Sequence, residues 1–514
     1  MSPRTALLAL AVGLPLLQGC GPETPRFERV IVISLDTVRA DRLGCYGRVD
    51  AHTPALDALA GRGVLFEDAT CAAPTTLASH TSVFSGLYPH THGVPRNGFV
   101  VSPENELLGE LARSAGFETA AFVGSFALEK SLGLAQGFDT WDEKFVVDID
   151  ANHEQEQRPA AAVTDAALAW VERAKPERFL LFAHYFDAHA PYEPPPPFDA
   201  MNPRPGAPRS ASLADLDGAV RAQQTRTLGK ARGVQAVIRG GLDAHALDVE
   251  DGRALPQDED LAALYQGELA YVDREVGRLL DGLEQRGLLE DALVVVFADH
   301  GETFAEHADT WNHGLWTYQT TVHVPLLFVG RGAGASALGV RRVVEPVSSV
   351  DVLPTLCELV GWTSPKKVDG VSLVPWMRGE RREHGPVFCE ATQPPSVERP
   401  RGPETPWENA LKAKCVRLGR WKLVRAPYLP REQLFDLSVD PGERDDLLRG
   451  RTDALAQAPL AELRAALDRF EKEARPRASR FDPTQTLETM KKLRALGYDE
   501  GAGSVDEPPP NSPR

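Results

Sequence analysis

Three segments of the chain share a continuous apolar run that ends in polar side chains. They are RVIVISLD (29–36), RFLLFAHYFDAH (178–189) and ALVVVFADHGE (292–302). Short runs rich in β-branched residues are typical of strands buried on both faces of a largely parallel sheet. The pattern therefore predicts three central strands, each followed by residues that are able to bind a ligand.

Helical patterns separate these predicted strands. In the segment 264–287, apolar residues recur at spacings of three and four, and a glycine ends the run, as in an amphipathic helix. Alternating strands and helices predict an α/β fold with a large, mostly parallel sheet flanked by helices. Because ligands bind such sheets beyond the carboxyl ends of the strands, we expect Asp36, Asp299 and His300 to converge there.

The character of the chain changes near residue 376. The segments 414–426 and 432–447 have the pattern of antiparallel strands with a Pro-Gly turn, and a helix is predicted over 453–474. We therefore predict a main, site-bearing domain at 28–375 and a small C-terminal antiparallel sheet subdomain at 376–475.

Two further segments lack the pattern of a packed core. The stretch 193–262 begins with a loop rich in Pro, Ala and Arg and continues with weak patterning, which indicates a surface insertion that could cover the site. The stretch 476–514 is predicted to be a C-terminal segment that ends in a polar tail.

The first twenty residues have the features of an export signal. An arginine is followed by an apolar run too short to span a bilayer, and LLQGC resembles a bacterial lipobox with Cys20 as the lipidated residue. We expect 1–20 to be a lipoprotein signal peptide, with 21–27 as a tether to the membrane surface. A plain secretory signal is the alternative. Either interpretation predicts an exported protein of the bacterial cell envelope, in the periplasm or at the cell surface.

The net charge and the cysteines limit the classes of function that the chain can have. The formal net charge is −17 over 514 residues, which argues against nucleic acid as a partner, because a phosphate backbone requires a basic surface. A small anionic substrate remains compatible with a locally positive pocket. Beyond Cys20 the five cysteines are scattered without metal-type spacing. Cys389 and Cys415 are the candidate pair for a disulfide, which export would permit.

The residues at the predicted strand ends suit a metal ion. Asp36 and Asp299 supply carboxylates and His300 supplies an imidazole, which together with a hydroxyl would bind one divalent cation. Such oxygen-rich ligands favour Ca²⁺, Mg²⁺ or Mn²⁺ over Zn²⁺. Taken alone, an aspartate after a strand is commonly a turn or cap residue.

Thr76 precedes a helical pattern at 77–87 and has two interpretations. A threonine there is commonly an N-cap whose oxygen accepts an amide hydrogen bond. The same location suits a nucleophile, because the start of a helix attracts an anionic substrate and a nearby metal lowers the pKa of a hydroxyl. Local pattern alone leaves both open.

Six segments, in order, resemble the sulfatase family of the alkaline phosphatase superfamily over residues 28–450. They are VISLDTVRADRLGCYG, TLASHTSVFSGLYPHTHGV, FDAHAPY, FADHGE, HVPLLF and the final GRWKLV…LFDLSVDPGE. The resemblance implies an alkaline-phosphatase-like fold, hydrolysis of an ester bond, and a small or glycan-like anionic ester as substrate.

The resemblance also implies roles for individual residues. Asp36, Asp299 and His300 match metal ligands, with Thr76 at the position that sulfatases convert to formylglycine and beside the metal. His189 and His313 match residues that contact the substrate and the leaving group.

Three other positions are candidate substrate-binding residues by the same resemblance. Asn97 is similar to the substrate-binding asparagine of phosphonate monoester hydrolases, and His80 replaces the arginine of the sulfatase signature. Arg39 either supplies positive charge that is otherwise missing or makes a structural ion pair. Thr37 stands where many sulfatases have a further acidic ligand.

The departures from the family pattern bear on the reaction. Formylglycine releases sulfate by breaking its own carbon–oxygen bond, which threonine cannot do, so a threonine-bound group must be removed by attack at its central atom. VGSFAL (123–128) also replaces a segment that carries sulfate-binding cations in relatives. We therefore favour a phosphodiester or phosphonate-type substrate.

Several alternatives remain. They are a sulfuric ester hydrolase, a phosphoryl-group transferase and a non-catalytic anion-binding lipoprotein. The Asp309-x-x-x-His313 spacing resembles two-metal phosphodiesterases, but its order relative to Asp299-His300 is reversed, so one metal is preferred. His184, His307, His90 and His92 are expected to be structural or peripheral.

Overall fold

The computed structural model describes residues 27–150, 153–201, 204, 206–212, 215–216, 258–304, 306–307, 312–332, 338–380, 383–392, 411–450 and 453–478. The signal segment 1–20 with Cys20, most of the tether 21–27 and most of the tail lie outside these residues. So do Asp309 and most of the predicted insertion 193–262. Within the described ranges, no helix is both long and apolar enough to cross a bilayer.

Fifteen strands are present in the described residues. They are β1 (Arg29–Leu35), β2 (Val64–Thr70), β3 (Glu118–Phe122), β4 (Thr140–Asp142), β5 (Val146–Asp150), β6 (His153–Gln157), β7 (Phe179–Tyr185), β8 (Ala292–Ala298), β9 (His323–Gly330), β10 (Arg341–Val343), β11 (Val347–Ser348), β12 (Val387–Glu390), β13 (Lys414–Leu418), β14 (Trp421–Arg425) and β15 (Gln433–Asp436).

A nine-stranded mixed sheet forms the centre of the fold. Its order is β10-β2-β9-β8-β1-β7-β3-β4, and β11 pairs with β2. Among its described strands β9 runs antiparallel to both neighbours, and the other pairs are parallel. The three predicted strands are the adjacent central strands β8, β1 and β7, whose apolar side chains are almost completely buried. The predicted α/β class with a large, mostly parallel sheet is confirmed.

The helices of the described residues flank this sheet and the smaller one. They are α1 (Pro54–Ala60), α2 (Thr76–Ser85), α3 (Pro89–His92), α4 (Leu108–Ser114), α5 (Ala160–Ala174), α6 (Asp258–Glu284), α7 (Gln319–Val322), α8 (Val352–Val360), α9 (Val374–Met377), α10 (Asp453–Gln457) and α11 (Leu460–Lys472). The helix predicted over 264–287 is α6, which begins earlier and packs against α1 and α5.

A second, four-stranded antiparallel sheet has the order β12-β13-β14-β15. It lies within the segment 376–475, and α11 covers it through Leu463, Leu467 and Phe470. The predicted small antiparallel sheet is therefore confirmed, although the strand expected over 432–447 ends at Asp436. The helix predicted over 453–474 is divided into α10 and α11.

The five cysteines of the described residues are not joined by disulfide bonds. Cys389 and Cys415 lie opposite each other on β12 and β13, yet both are free thiols. The candidate disulfide between them is thus not formed here. Cys71 is also buried and free, as expected for a small core residue.

Candidate active site

The ends of β1 and β8 bring the predicted acidic residues together. Leu35 on β1 is in register with Ala298 on β8, so Asp36 and Asp299 leave neighbouring strands at the same level. Ligand atoms of Asp36, Asp299 and His300 all lie within 4.8 Å of one another, and all three residues are buried. The expected convergence at the carboxyl edge of the sheet is observed.

Asp36 is held in place by a histidine from the neighbouring strand. The Gly124 amide donates to Nδ1 of His184 at 3.3 Å, so the ring proton is on Nε2, which donates to Asp36 Oδ2 at 3.1 Å. Asp36 Oδ1 is buried and has no hydrogen-bond partner among the described residues. His184, expected to be structural or peripheral, therefore has a structural role, because it orients a candidate metal ligand.

Asp299 and His300 are fixed by backbone groups. The amides of Thr37 and His300 donate to Asp299 Oδ1 at 3.2 Å and 2.8 Å, while the buried Oδ2 has no hydrogen-bond partner within the described part of the chain. Nδ1 of His300 donates to the Gly301 carbonyl at 3.0 Å, which places the ring lone pair on Nε2. Thr37 adopts a positive φ of 56°, and this left-handed conformation turns its amide toward Asp299.

These residues fit a hard divalent cation. Two buried carboxylate oxygens that lack hydrogen bonds from the described residues are costly unless a cation compensates them. Burial raises the pKa of Asp36 to about 7, and burial together with the charge of Asp36 raises the pKa of Asp299. A cation would favour the ionised form of both carboxylates. Two carboxylates and one imidazole are ligands that Ca²⁺, Mg²⁺ or Mn²⁺ accept.

Thr76 lies beside this cluster, at the start of α2. The N-cap position belongs to Thr75, which makes no side-chain cap, and Thr76 is the first helical residue. The cap interpretation of Thr76 is therefore wrong. Its Oγ1 is 3.5 Å from His300 Nε2, and the hydroxyl interacts with Asp36, whose pKa it lowers against the larger effect of burial.

The side chain of Asn97, and not that of Thr75 or Thr76, caps the start of α2. Its Oδ1 accepts a hydrogen bond from the Leu77 amide at 2.7 Å, which satisfies one of the amides that a helix start leaves unpaired. Its Nδ2 is buried and has no hydrogen-bond partner among the described residues. Asn97 is thus placed beside Thr76 with a buried donor group.

The His313 ring lies next to His300 of the cluster, and the His189 ring lies next to His313. Nδ1 of His189 donates to the Ala190 carbonyl at 2.7 Å, so a proton given to a substrate would come from Nε2. The His313 ring centroid lies 4.4 Å from that of His300 and 5.2 Å from that of His189. Burial lowers the pKa of both His189 and His313 well below the ordinary value.

Glu302 is a site residue that sequence reasoning missed. It is 2% exposed, and Oε2 and Oε1 lie 3.3 Å and 3.4 Å from Nδ1 of His313. Burial raises its pKa to about 8. The sequence did contain a signal for Glu302, because this residue ends the Asp-His-Gly-Glu motif two positions after His300, a candidate metal ligand.

The guanidinium of Arg39 bonds other residues of the protein. Its guanidinium donates to both carboxylate oxygens of Asp41 at 2.9 Å and 2.8 Å, and to Glu306 Oε1 at 2.8 Å. It also donates to the Glu302 carbonyl at 3.1 Å. Of the two interpretations of Arg39, the structural ion pair is therefore observed.

His80 lies next to Asp299 of the cluster. Its Nδ1 donates to the Thr76 carbonyl at 2.7 Å, and its Nε2 accepts from Ser34 Oγ at 2.7 Å. The ring is fully buried, and burial lowers its pKa to about 3. Because both nitrogens are used inside the protein, His80 is placed to position Thr76 rather than to contact a substrate as predicted.

The mixed sheet thus presents two carboxylates and a histidine beside a hydroxyl at the start of a helix. Comparison with known proteins identifies the family. The sequence model of the sulfatase family matches residues 28–362. The chain belongs to the sulfatase family and is a hydrolase that acts on ester bonds.

Individual relatives share low identity with the chain and match different shares of it. The chain is 26% identical over 470 residues to the delta 4,5-hexuronate-2-O-sulfatase of Bacteroides thetaiotaomicron, which covers 87% of this chain and 89% of that protein. It is 33% identical over 221 residues to the choline-sulfatase of Rhizobium meliloti, 39% of this chain and 36% of that protein. The solved phosphonate monoester hydrolase of Agrobacterium radiobacter shares the fold, with a TM-score of 0.64 and 22% identity over 86% of this chain and 96% of that one.

Proposed function

We propose that this protein is a metal-dependent hydrolase of anionic esters in which Thr76 is the nucleophile. The observation that carries the proposal is the position of Thr76 Oγ1, which is 3.5 Å from His300 Nε2 and interacts with Asp36. As the first residue of α2, Thr76 also lies where the helix dipole attracts an anion.

Asp36, Asp299 and His300 are the proposed ligands of one divalent ion, and Thr76 Oγ1 lies beside them. When bound, the cation supplies positive charge that favours ionisation of a nearby hydroxyl and offsets the charge of the ester. Asp36 Oδ1 and Asp299 Oδ2, which are buried and have no hydrogen-bond partner in the described ranges, support this assignment. The oxygen-rich ligand set favours Ca²⁺, Mg²⁺ or Mn²⁺, with Zn²⁺ less suited.

Individual residues then have separate roles in the proposed reaction. Thr76 Oγ1 attacks the central phosphorus or sulfur, and the bond to the leaving oxygen breaks. The proton that Thr76 loses passes to Nε2 of His189 or His313, and that ring then gives it to the departing alcohol. Water then cleaves the group from Thr76 and restores the hydroxyl. Asn97 Nδ2 donates to a non-bridging oxygen.

A phosphodiester or phosphonate-type substrate is favoured. A threonine ester must be cleared by attack of water at the central atom, a step that suits phosphorus. The residues 123–128 carry no cationic side chain, and His80 is buried and neutral where sulfatases have an arginine. The described site therefore offers little charge beyond the cation for a sulfate group.

A sulfuric ester is the second candidate, and family membership favours it. The match to the sulfatase family and to named sulfatases covers most of the chain, and the substrate would then be a small or glycan-like sulfate ester. Transfer of a phosphoryl group to an acceptor alcohol and anion binding without catalysis are the remaining alternatives.

The experiment compares an aryl sulfate, an aryl phosphate monoester and an aryl phosphodiester, each with and without added Ca²⁺, Mg²⁺ or Mn²⁺. We expect the phosphodiester to be hydrolysed fastest and a chelator to abolish turnover. Thr76→Ala should lower kcat by a factor on the order of 10³ or more, and Thr76→Ser should retain activity because it keeps a hydroxyl.

Thr81→Ala is the matched control. Thr81 lies on the same helix, and its hydroxyl donates to the Leu77 carbonyl at 2.7 Å, so this variant should stay active. Preference for the aryl sulfate would select the second candidate. Equal activity of Thr76→Ala and wild type would refute the nucleophile, and an inactive wild type with metal supplied would favour the binding protein.

We further propose that the chain is exported and anchored to the cell envelope through lipid on Cys20. The support is the sequence of residues 1–20, with its short apolar run and lipobox-like LLQGC. The site would then act at a membrane surface on small or glycan-like anionic esters. The net charge of −17 argues against nucleic acid as a substrate.

A further inference from the structure

The loop 93–105, between α3 and α4, carries Asn97 and is closed at its neck by a second asparagine. Nδ2 of Asn105 donates to the carbonyl of His92 at 3.0 Å, so the two ends of the loop are joined. Asn105 is 1% exposed, and the bond is therefore shielded from water. The position of Asn97 beside Thr76 depends on what keeps this neck closed.

The C-terminal segment of the described chain binds the same neck. Nη1 of Arg477 donates to Asn105 Oδ1 at 2.7 Å and to the Glu104 carbonyl at 2.8 Å. Asn105 thus accepts from the guanidinium with its oxygen and donates to His92 with its nitrogen. Because hydrogen bonds from a charged donor are stronger than those between neutral groups, Arg477 holds the Asn105 amide group in this one orientation.

Main-chain contacts place Arg477 at the neck. Its amide donates to the Thr91 carbonyl, and the Arg475 amide donates to the His90 carbonyl, both at 3.1 Å. Gly93 has a positive φ of 85°, and a β-carbon at this position would overlap the carbonyl oxygen of Arg477. The C-terminal segment therefore lies against the start of the loop at a distance that only glycine allows.

The segment is in turn held by α11. Phe470, in the last turn of that helix, has its ring centroid 4.1 Å from that of His90 in α3 and 4.1 Å from that of Phe388 in β12. Arg477 follows shortly after the end of α11. The small antiparallel sheet, α11 and the loop that carries Asn97 are therefore connected through direct contacts.

We propose that Arg477 is a positioning residue for Asn97, and that the C-terminal segment clamps the loop that binds the substrate. This inference rests on the proposed function. Arg477 acts through Asn105, which closes the loop, and the closed loop keeps Asn97 Oδ1 on the Leu77 amide. The Nδ2 donor beside Thr76 then keeps one position, as stabilisation of a transition state requires.

The kinetic test is a double-mutant cycle on whichever of the three aryl esters wild type hydrolyses fastest. Arg477→Ala should lower kcat/KM by about tenfold, because a small displacement of a group that contacts the transition state is costly. In an Asn97→Ala background the same change should alter kcat/KM by less than about twofold, because the group that Arg477 positions is already absent. Arg477→Lys keeps a cationic donor and should recover part of the loss.

Arg475→Ala is the matched control. Nη1 of Arg475 donates to the carbonyls of Lys472 and Ala474 at 3.1 Å and 2.6 Å, so this side chain bonds its own segment. The variant keeps the main-chain bond to His90, and its kcat and KM should equal those of wild type. A loss as large as that of Arg477→Ala would show a general disturbance of the segment and would overturn the specific role of Arg477.

Hydrogen exchange supplies a readout that does not depend on turnover. Leu77 lies in the first turn of α2, where amides have no partner within the helix, so Asn97 Oδ1 supplies its hydrogen bond. Arg477→Ala should speed exchange of the Leu77 amide by about tenfold, since the loop opens more often. The Ser79 amide, which bonds the Thr75 carbonyl at 2.9 Å, should exchange at the wild-type rate.

Three outcomes would overturn the proposal. They are unchanged exchange at Leu77, an equal increase at Leu77 and Ser79, and an equal loss of kcat/KM from Arg477→Ala with and without the Asn97 side chain. If wild type hydrolyses no ester, the proposed function fails, and exchange of the Leu77 amide still decides whether Arg477 positions Asn97.

Discussion

At the start of α2, one asparagine side chain makes two separate contributions. Asn97 Oδ1 accepts from the Leu77 amide, and its buried Nδ2 has no hydrogen-bond partner in the described residues. The helix needs the oxygen, so the amide group cannot rotate to exchange the two atoms. The first contribution concerns stability, and the second concerns the substrate.

Substitutions can separate the two. Asn97→Ala removes both atoms, and we expect the free energy of unfolding to fall by about 1 kcal/mol, as for loss of an N-cap, together with kcat/KM. Asn97→Asp keeps an oxygen for the Leu77 amide but removes the donor, so it should be less destabilised than Asn97→Ala and still lose activity. Urea denaturation and steady-state kinetics measure the two effects. Wild-type kinetics in both variants would show that Nδ2 does not contact the substrate.

The roles of single side chains were only partly predictable. Asp36, Asp299 and His300 follow strands, so their convergence is a consequence of sheet geometry. Arg39 bonds Asp41 and Glu306, and Glu306 becomes its neighbour only in the folded chain. The contact between His80 and the Thr76 carbonyl is a helical i to i−4 contact. The spacing of the two residues is compatible with this contact but does not by itself predict it.

At the scale of elements, long buried segments were predictable and short ones were not. β1, β7 and β8 are seven residues each, long enough for an apolar run to be recognised. β4, β10 and β11 have two or three residues, and their pairing is decided by neighbours that are distant in sequence.

The antiparallel strand β9 was not predicted as a strand, although its segment HVPLLF is one of those that resemble the sulfatase family. Pro325 cannot donate to a ladder and argues against a central strand. The pairing of β9 with β2 shifts register between Phe66 and Ala69, opposite this proline. The irregularity therefore accommodates the missing amide, and this compensation depends on the partner strand.

One contact between elements should make stability depend on pH. His384, just before β12, donates from Nε2 to Asp351 Oδ2 at 2.9 Å and has Nδ1 3.0 Å from the Gly385 carbonyl. Asp351 immediately precedes α8 and also accepts from the amides of Ser348 and Val371. Burial lowers the pKa of His384, but the bond and charge of Asp351 outweigh it, so the pKa lies above its ordinary 6.5.

The sign of the effect follows from the raised pKa. The folded protein holds this proton more tightly than the unfolded chain, so the stabilisation is complete below pH 6.5 and is lost as the pH rises through the folded value. Against His384→Gln, wild type should gain about 1–2 kcal/mol at acidic pH and little at alkaline pH. Urea denaturation of both proteins at about pH 5.5 and about pH 9 checks this. A difference that does not change with pH would contradict it.

At the scale of the whole molecule, ion pairs join the small sheet to the large one. Arg417 on β13 bonds both carboxylate oxygens of Asp68 on β2. Lys422 on β14 contacts Glu443 Oε1 at 2.7 Å and donates to Gln319 Oε1 at 3.1 Å. Gln319 begins α7, which leads into β9. The small sheet is therefore attached to the segment that also carries His313.

The pair of Lys422 and Glu443 is the most buried of these links, with side chains 1% and 0% exposed. Removing one member leaves the other charge buried and unpaired, which costs more than the pair contributes. We expect Lys422→Met to lower the free energy of unfolding by about 3–5 kcal/mol. Because the double variant Lys422→Met with Glu443→Gln leaves no buried charge, it should lose less than the sum of the two single changes.

Urea denaturation of the four proteins measures this coupling, and the site supplies a second readout. Since Gln319 lies in the same segment as His313, loss of the link should displace His313 and lower kcat for an alkyl ester more than for an aryl ester in Lys422→Met. Arg464→Met is the control, because Arg464 bonds Glu432 at the surface of the small sheet and such exposed pairs contribute little. Additive single changes would mean that the two charges do not stabilise each other, and the attachment of the small sheet would then rest on its apolar contacts with α11 and on Arg417.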